Sequence, residues 1–136
     1  VELREILACF GKEFNEPETY VENQPSDRYL AELLSSSTFI ALSASNESGV
    51  LGGLAAYELK KFEQARSEIY IYDLAVAESA RKKGVATALI EALKPIAIER
   101  GAWVIFVQAD YEDEPAVKLY SKLGTREEVL HFDISI

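Results

Sequence analysis

The 136-residue chain predicts one α/β (α+β) domain with a mixed central sheet flanked by helices. Three observations carry that fold class. Asn46-Glu47-Ser48-Gly49 lies between two apolar runs, Thr38 to Ala44 and Val50 to Leu59, and reads as a hairpin turn, so these strands pair antiparallel. Ser67 to Val76 is β-branched and aromatic, a long strand, and a short turn after it opens into Val85, Leu89, Leu93 and Ile96 at helical spacing. Ala102 to Gln108 is a nearly continuous apolar run, which reads as a central strand covered on both faces. Strand, helix, strand in that order implies a right-handed parallel crossover.

The remaining elements follow in order. Leu3, Ile6, Leu7, Phe10 and Phe14 share one helical face, with Gly11 inside it and Pro17 as its end. A polar stretch leads to Pro25. Ser26 caps a second helix whose buried side is Tyr29, Leu30, Leu33 and Leu34. Gly52 and Gly53 mark a bulge or a close backbone approach. The main helix runs from Gly84 to about Arg100, and Pro95 should kink it or loosen a turn. Pro115 suits the first turn of a last helix, with Gly124 as its stop. Thr125 to Ile136 reads as one or two short strands. Residues 1–136 form a single domain with no internal repeat or linker.

The formal net charge of -9 argues against nucleic acid as the main partner, since a phosphate backbone needs a basic face. It suits a cationic partner, because an acidic cleft gathers cations. No apolar run approaches a membrane span and no signal peptide is visible, which points to a cytoplasmic protein without a membrane partner. The single cysteine, Cys9, sits among apolar residues and reads as a core filler. The lone His131 has no evident metal-site partners and reads as structural, with a contact to substrate as its other reading. No metal is expected.

The turn into the main helix is Arg81-Lys82-Lys83-Gly84-Val85-Ala86-Thr87. Free N–H groups at a helix start and the positive end of its dipole make an anion site, and phosphates are the usual guest. Gly84 and the small Ala86 let a ligand approach the backbone. The three cations answer phosphate charge from the side, and Thr87 adds a hydroxyl.

The pattern Arg81-x-x-Gly84-x-Ala86 resembles the acyl-CoA pyrophosphate loop of the GNAT acetyltransferases, and the order of elements resembles the GNAT fold. That resemblance implies acetyl-CoA as cosubstrate, held by Arg81, Lys82, Lys83, Gly84, Val85, Ala86 and Thr87. It also implies that the two parallel strands splay, with the pantetheine arm in the gap against exposed backbone of Leu74, Ala75 and Val76. The fold's usual first strand is absent here and would lie before Val1.

Acetyl transfer to an amine needs a base for the amine and a proton for the departing thiolate. Ala116-Val117-Lys118-Leu119-Tyr120-Ser121-Lys122-Leu123-Gly124 resembles the family's second motif, which makes Tyr120 the acid. A phenol near pKa 10 is roughly matched to a thiol near 8.5. The bland alternative is a tyrosine packed on its helix with a solvated hydroxyl. Asp110, Glu112, Asp113 and Glu114 fall directly after the apolar strand, where open α/β sheets border their ligands. Asp110 is the expected base, and Glu112, Asp113 and Glu114 are expected to hold further ammonium groups. For Asp113 and Glu114 the alternative is service to the following helix dipole. Asp73 and Glu68, on the long strand, are weaker candidates; Asp73 sits where the strands should separate and is expected to face the substrate, and Tyr70 and Tyr72 line the same wall, with core packing as their alternative.

Longer blocks narrow the resemblance: Arg66 to Val76, Gln108-Ala109-Asp110-Tyr111, and Arg126 to Asp133 look like the aminoglycoside 3-N-acetyltransferases that modify gentamicin and fortimicin. The resemblance implies a polycationic amino-sugar substrate, acetylation of its 3-amino group, antibiotic resistance, and a homodimer. Polyamine or protein N-acetylation on the same fold, and a non-catalytic acyl-CoA-binding module, are the alternatives.

Overall fold

The computed structural model describes residues 2–136. Four strands form one sheet in the order β1 (Phe39–Asn46), β2 (Gly49–Lys60), β3 (Ser67–Val76) and β4 (Ala102–Val107). The first three are antiparallel and β3–β4 is parallel, so the sheet is mixed, as the hairpin and the crossover require. Helices α1 (Glu2–Glu13) and α2 (Asp27–Ser35) lie on one face, and α3 (Val85–Glu99) and α4 (Glu114–Leu123) on the other.

Strand alternation sorts the core into two layers. Ile40, Leu54, Ala56, Ile69 and Ile71 pack beneath Leu89, Ile90, Leu93 and Ala97 of α3. On the opposite face, Ile6 and Phe10 of α1 close over Ala75. A Cβ at Gly53 would stand 2.8 Å from Ile6 Cγ2, and one at Gly52 would stand 2.9 Å from the Ala75 carbonyl. These glycines therefore let neighbouring backbone and helix approach closely. Leu51 is the extra residue of a bulge in β2, and its carbonyl accepts from Ala77 N–H at 2.7 Å.

Ser26 caps α2 through its hydroxyl, which accepts from Tyr29 N–H at 3.2 Å. Of the expected α2 core residues only Leu30 is buried, while Tyr29 and Leu34 are exposed. The helix is short and touches the sheet mainly at β1, so one residue fills its contact. Beyond Pro17 the polar stretch is not a plain loop but a π-helical turn, Glu18–Glu22. Helix α3 stays continuous through Pro95. That residue is exposed, so its ring meets solvent and not the sheet.

Two expectations fail together. The apolar run Ala102 to Val107 is not central: β4 ends the sheet and its side chains are only partly buried. Thr125 to Ile136 forms no strand, and its residues are exposed. A strand takes its pairing from a neighbour, and among the described residues nothing lies beyond β4.

Candidate active site

Pairing between β3 and β4 ends at Ile71 and Val107. From Tyr72 to Val76, β3 runs on, paired with β2 alone. On the β4 side the backbone of Leu74, Ala75 and Val76 thus has no strand partner among the described residues, and the Val76 carbonyl accepts from the Arg81 side chain at 3.3 Å. A last tether sits where the strands part: Tyr70 donates its hydroxyl proton to Gln108 Oε1 at 2.9 Å. The gap opens at the carboxyl ends of the parallel pair, beside the N-termini of α3 and α4.

The turn at one side of the gap has the features of an anion cradle. Gly84 caps α3 with φ 80°, and a Cβ there would meet nothing within 4 Å. The first intrahelical bond runs from Ala88 N–H to the Gly84 carbonyl, so the amides of Val85, Ala86 and Thr87 are the helix-start donors. Lys82 also stands at positive φ, 60°, a conformation costly to a residue with a side chain. Lys82 and Lys83 are exposed beside this helix start. Lys83 Nζ donates to the Ser79 carbonyl at 3.1 Å.

Arg81 is placed differently from the expectation. Its guanidinium pairs with the largely buried Glu13 carboxylate and with the Val76 carbonyl. Glu13 also accepts from Glu78 N–H at 3.3 Å. In this conformation Arg81 braces the turn against α1, whereas Lys82 and Lys83 pair with no carboxylate among the described residues. Glu13 was not legible as a site residue, because a lone carboxylate at a helix end reads as solvated.

On the α1 side of the sheet the gap is lined with aromatic rings and carboxylates. A bulge makes Tyr72 the extra residue of β3, between Ile71 opposite Ala56 and Asp73 opposite Ala55. Tyr72 and Asp73 therefore face the same side, where strict alternation would have separated them. Tyr57, Tyr72, Tyr70 and Phe106 form a row across three strands, with centroid spacings of 6.0, 5.5 and 4.6 Å. Electron-rich ring faces of this kind attract ammonium groups.

Asp73 is half-buried at the end of that row and accepts from the Tyr20 hydroxyl at 3.2 Å. Burial pushes its carboxyl above the ordinary value, Tyr20 pulls it back, and Glu16 raises it again. Burial together with Asp73 in turn drives the Tyr20 phenol well up. Asp73 also borders a cavity of about 190 Å³ between α1, α2 and the sheet, walled otherwise by groups such as Phe10, Leu30, Phe39 and Tyr57. Nearby, Glu16, Glu18 and Glu22 line an open depression. Tyr20 and Glu16 belong to the polar stretch that reads as a connection. The signal there was one aromatic residue among carboxylates.

The expected acid and base lie across the gap. Asp110 is exposed in the loop after β4, and its backbone carbonyl accepts from Asp113 N–H at 3.1 Å. Glu112 is exposed beside it. Asp113 is a helix cap: its carboxylate accepts from Ala116 N–H at 3.3 Å, and Glu114 opens the first turn of α4. Asp113 thus serves the helix, because a carboxylate ahead of free amides is captured by them, and Glu114 stands where the helix dipole favours a negative charge. Glu68 stands at the opposite end of β3, 3.5 Å from Lys61 Nζ, and is outside the site. Tyr120 packs against the α3 layer of the core, and burial, aided by Asp113, pushes its phenol up to about 12. Its hydroxyl is therefore protonated at neutral pH.

Burial likewise pushes the Cys9 thiol up, in keeping with a packing role. His131 is exposed and lies 2.8 Å from Asp133. No group of His, Cys, Asp and Glu among the described residues is arranged to hold a metal ion, and no described helix is long and apolar enough to cross a membrane.

Replacing Tyr20 by Phe tests the Asp73 environment. Losing the bond that holds the carboxyl down raises its pKa, and an acid must be ionised to hold an ammonium group. Tyr20→Phe should therefore move the acid limb of kcat/KM for a cationic amine to higher pH, with kcat at high pH little changed. An unmoved limb would separate Asp73 from amine capture.

Comparison with solved structures gives an aminoglycoside acetyltransferase from an uncultured soil metagenomic sample at 62% identity, covering 98% of this chain and 90% of that one, with a TM-score of 0.96. A second soil metagenomic aminoglycoside acetyltransferase, solved in complex with sisomicin, is 29% identical over 98% of this chain and 88% of its own, with a TM-score of 0.89. A ribosomal-protein-alanine N-acetyltransferase from Brucella melitensis biovar Abortus 2308, at 23% identity, 99% and 90% coverage and a TM-score of 0.76, shares the fold. A search of curated proteins gave no match. The family model described as the acetyltransferase (GNAT) family matches residues 2–125. With that match running from the first helix past the end of α4, the chain belongs to the GNAT acetyltransferase family.

Proposed function

We propose that this protein transfers an acetyl group from acetyl-CoA to an amino group of an aminoglycoside, the 3-amino group, acting in the cytoplasm as an antibiotic-resistance enzyme. The observation that carries the reading is the two-sided gap between β3 and β4. A glycine-capped helix start with two exposed lysines stands at one side of it. A face of aromatic rings with Asp73 and the nearby Glu16 stands at the other. The first suits a diphosphate and the second a polycation, and the net charge of -9 favours capture of the latter. The 62% identity to an aminoglycoside acetyltransferase supports the same substrate class.

Acetyl-CoA supplies the activated acyl group. Val85, Ala86 and Thr87 amides, with Lys82 and Lys83, are the groups that would hold its diphosphate, and the open space at Gly84 fits that use. Tyr72 and Asp73 orient the amine and hold its charge. Asp110 accepts the proton that the ammonium must lose, directly or through water. When the amine nitrogen bonds the acyl carbon and the C–S bond breaks, Tyr120 donates a hydrogen bond to the thiolate that leaves.

The test is thiol release by the purified protein with acetyl-CoA and, in turn, gentamicin, kanamycin, spermidine and a peptide panel, with NMR of the product to locate the acetyl group. The expected result is turnover of the aminoglycosides with the 3-amino group modified. Preferential turnover of spermidine or a peptide would reassign the substrate, and acetyl-CoA binding without any turnover would indicate a binding module.

A further inference from the structure

We propose, on the reading of the α3 start as the acetyl-CoA diphosphate site, that Glu13 is a positioning residue for the acyl donor. From the end of α1 it clamps the turn that leads into α3, and so fixes where the amides and lysines of the cradle stand. The turn is Glu78–Ala80, one short 3-10 turn between β3 and α3. Three residues are too few to hold themselves in a helical turn. Ala77, which precedes them, has no side chain that could cap the turn. Glu13 supplies the cap from another element. One of its carboxylate oxygens accepts from Glu78 N–H at 3.3 Å, and the other pairs with the Arg81 guanidinium. A single carboxylate thus holds both ends of the turn.

The Glu13 side chain is 7% exposed, against 52% for Arg81. A carboxylate withdrawn from water to this degree is costly unless its bonds are made. What those bonds secure is not core. Glu78, Ser79, Arg81, Lys82 and Lys83 are exposed, and of the turn only Ala80 is buried. They secure the course of an exposed stretch of chain, and that course is strained. Lys82 at φ 60° and Gly84 at φ 80° both stand in the left-handed region, with Lys83 between them. A residue with a side chain stays there only when the chain on either side holds it. On the far side the holder is α3. On the near side it is the clamped turn, itself tied to the β2 bulge by the bond from Ala77 N–H to the Leu51 carbonyl. Lys83 is bound to the same turn, since its ammonium donates to the Ser79 carbonyl at 3.1 Å.

The opposite role is a carboxylate that merely keeps Arg81 away from a diphosphate. The bond to Glu78 N–H decides between the two, because a competitor for Arg81 has no use for the backbone of the turn. Arg81 is also bonded to the Val76 carbonyl at 3.3 Å, so it ties the end of β3 to α1 across the base of the turn. A support placed behind a binding site raises affinity by sparing the ligand the cost of ordering that site.

The test compares the full chain with Glu13→Gln, Arg81→Gln and the double variant, with CoA as the probe in calorimetry. Glu13→Gln keeps the size of the side chain and removes its charge. It should weaken CoA binding about tenfold, the scale of a coupled charged pair. Arg81→Gln should weaken it by a similar factor, and the double variant no further, because the two residues act as one link. In the protein without CoA, amide exchange at residues 78–84 should speed up in both single variants while the strands of the sheet keep their protection. In turnover, KM for acetyl-CoA should rise while KM for the amine and kcat at saturation stay within about twofold. Tighter CoA binding by Glu13→Gln overturns the proposal and makes Glu13 a competitor for Arg81. Unchanged affinity overturns it, as do losses that multiply in the double variant. Should Glu13→Gln fail to fold, Arg81→Gln breaks the same link from its exposed end. Unchanged exchange at residues 78–84 in that variant then overturns the proposal, since a residue acting only on phosphate would leave the free turn as it is. A wild-type chain that does not bind CoA overturns the acetyl-CoA reading and this role with it, and the wild-type titration alone reveals that case.

Discussion

Asp110→Asn is expected to lower kcat for aminoglycoside acetylation by about 10²–10⁴-fold, the scale of a lost general base, with thiol release at saturating substrates as the measurement. Asp110 follows the carboxyl end of β4 and is open to water, so it can take a proton directly or along a short solvent path. Asn keeps the shape and removes the basicity. If Asp73 on the other wall holds the amine charge, as proposed, the effect falls on kcat more than on KM. The informative companion is Asp73→Asn, which should raise KM for the drug while leaving kcat near its original value. If Asp110→Asn works at the wild-type rate and Asp73→Asn does not, the roles are exchanged. Asp73 is the carboxylate whose burial moves it toward the range a base needs at neutral pH.

Tyr120→Phe is expected to slow the chemical step by about 10²-fold and to leave acetyl-CoA affinity, read by calorimetry, within about twofold. The phenol stands on the α3 side of the sheet, and burial raises it to about 12. The sign of that shift gives a second readout. A group that keeps its proton until about pH 12 causes no loss of rate between neutral pH and the onset of general alkaline damage. The wild-type kcat profile should accordingly have no alkaline limb from this residue, and Tyr120→Phe should lower the whole profile without changing its shape. A variant as fast as the parent would remove Tyr120 from the mechanism and leave it a packing residue on α4.

Much of the fold was written in local pattern. Ser67 to Val76 announced β3 by its β-branched and aromatic content, and Ser26 announced the start of α2 by its hydroxyl. Gly84 announced the cap of α3. Each is a property of a few consecutive residues. What could not be read is what depends on distant partners. The apolar run of β4 reads as a central strand, but its place at the end of the described sheet is set by the order of pairing, not by its own residues. Near the gap, the glycine cap of α3 and the run of exposed carboxylates after β4 were legible because each sits within one turn. The union of Tyr20 with Asp73, 53 residues apart, was not. Arg81 was assigned to phosphate on its motif, yet Glu13, from the first helix, competes for it. The capping role of Asp113 was visible as an alternative, and the distance to Ala116 N–H decides it.

The extra residue in β3 divides that strand into two lengths that are out of phase. Residues before Tyr72 keep the rhythm of the sheet, and a substitution among them is judged by the packing of the core. Residues from Asp73 onward follow a shifted rhythm beside the open gap, where the judge is whatever ligand arrives. Selection for a new amine can therefore act on the second length without retuning the first. Deleting the single extra residue would abolish that independence, by turning the whole downstream length over.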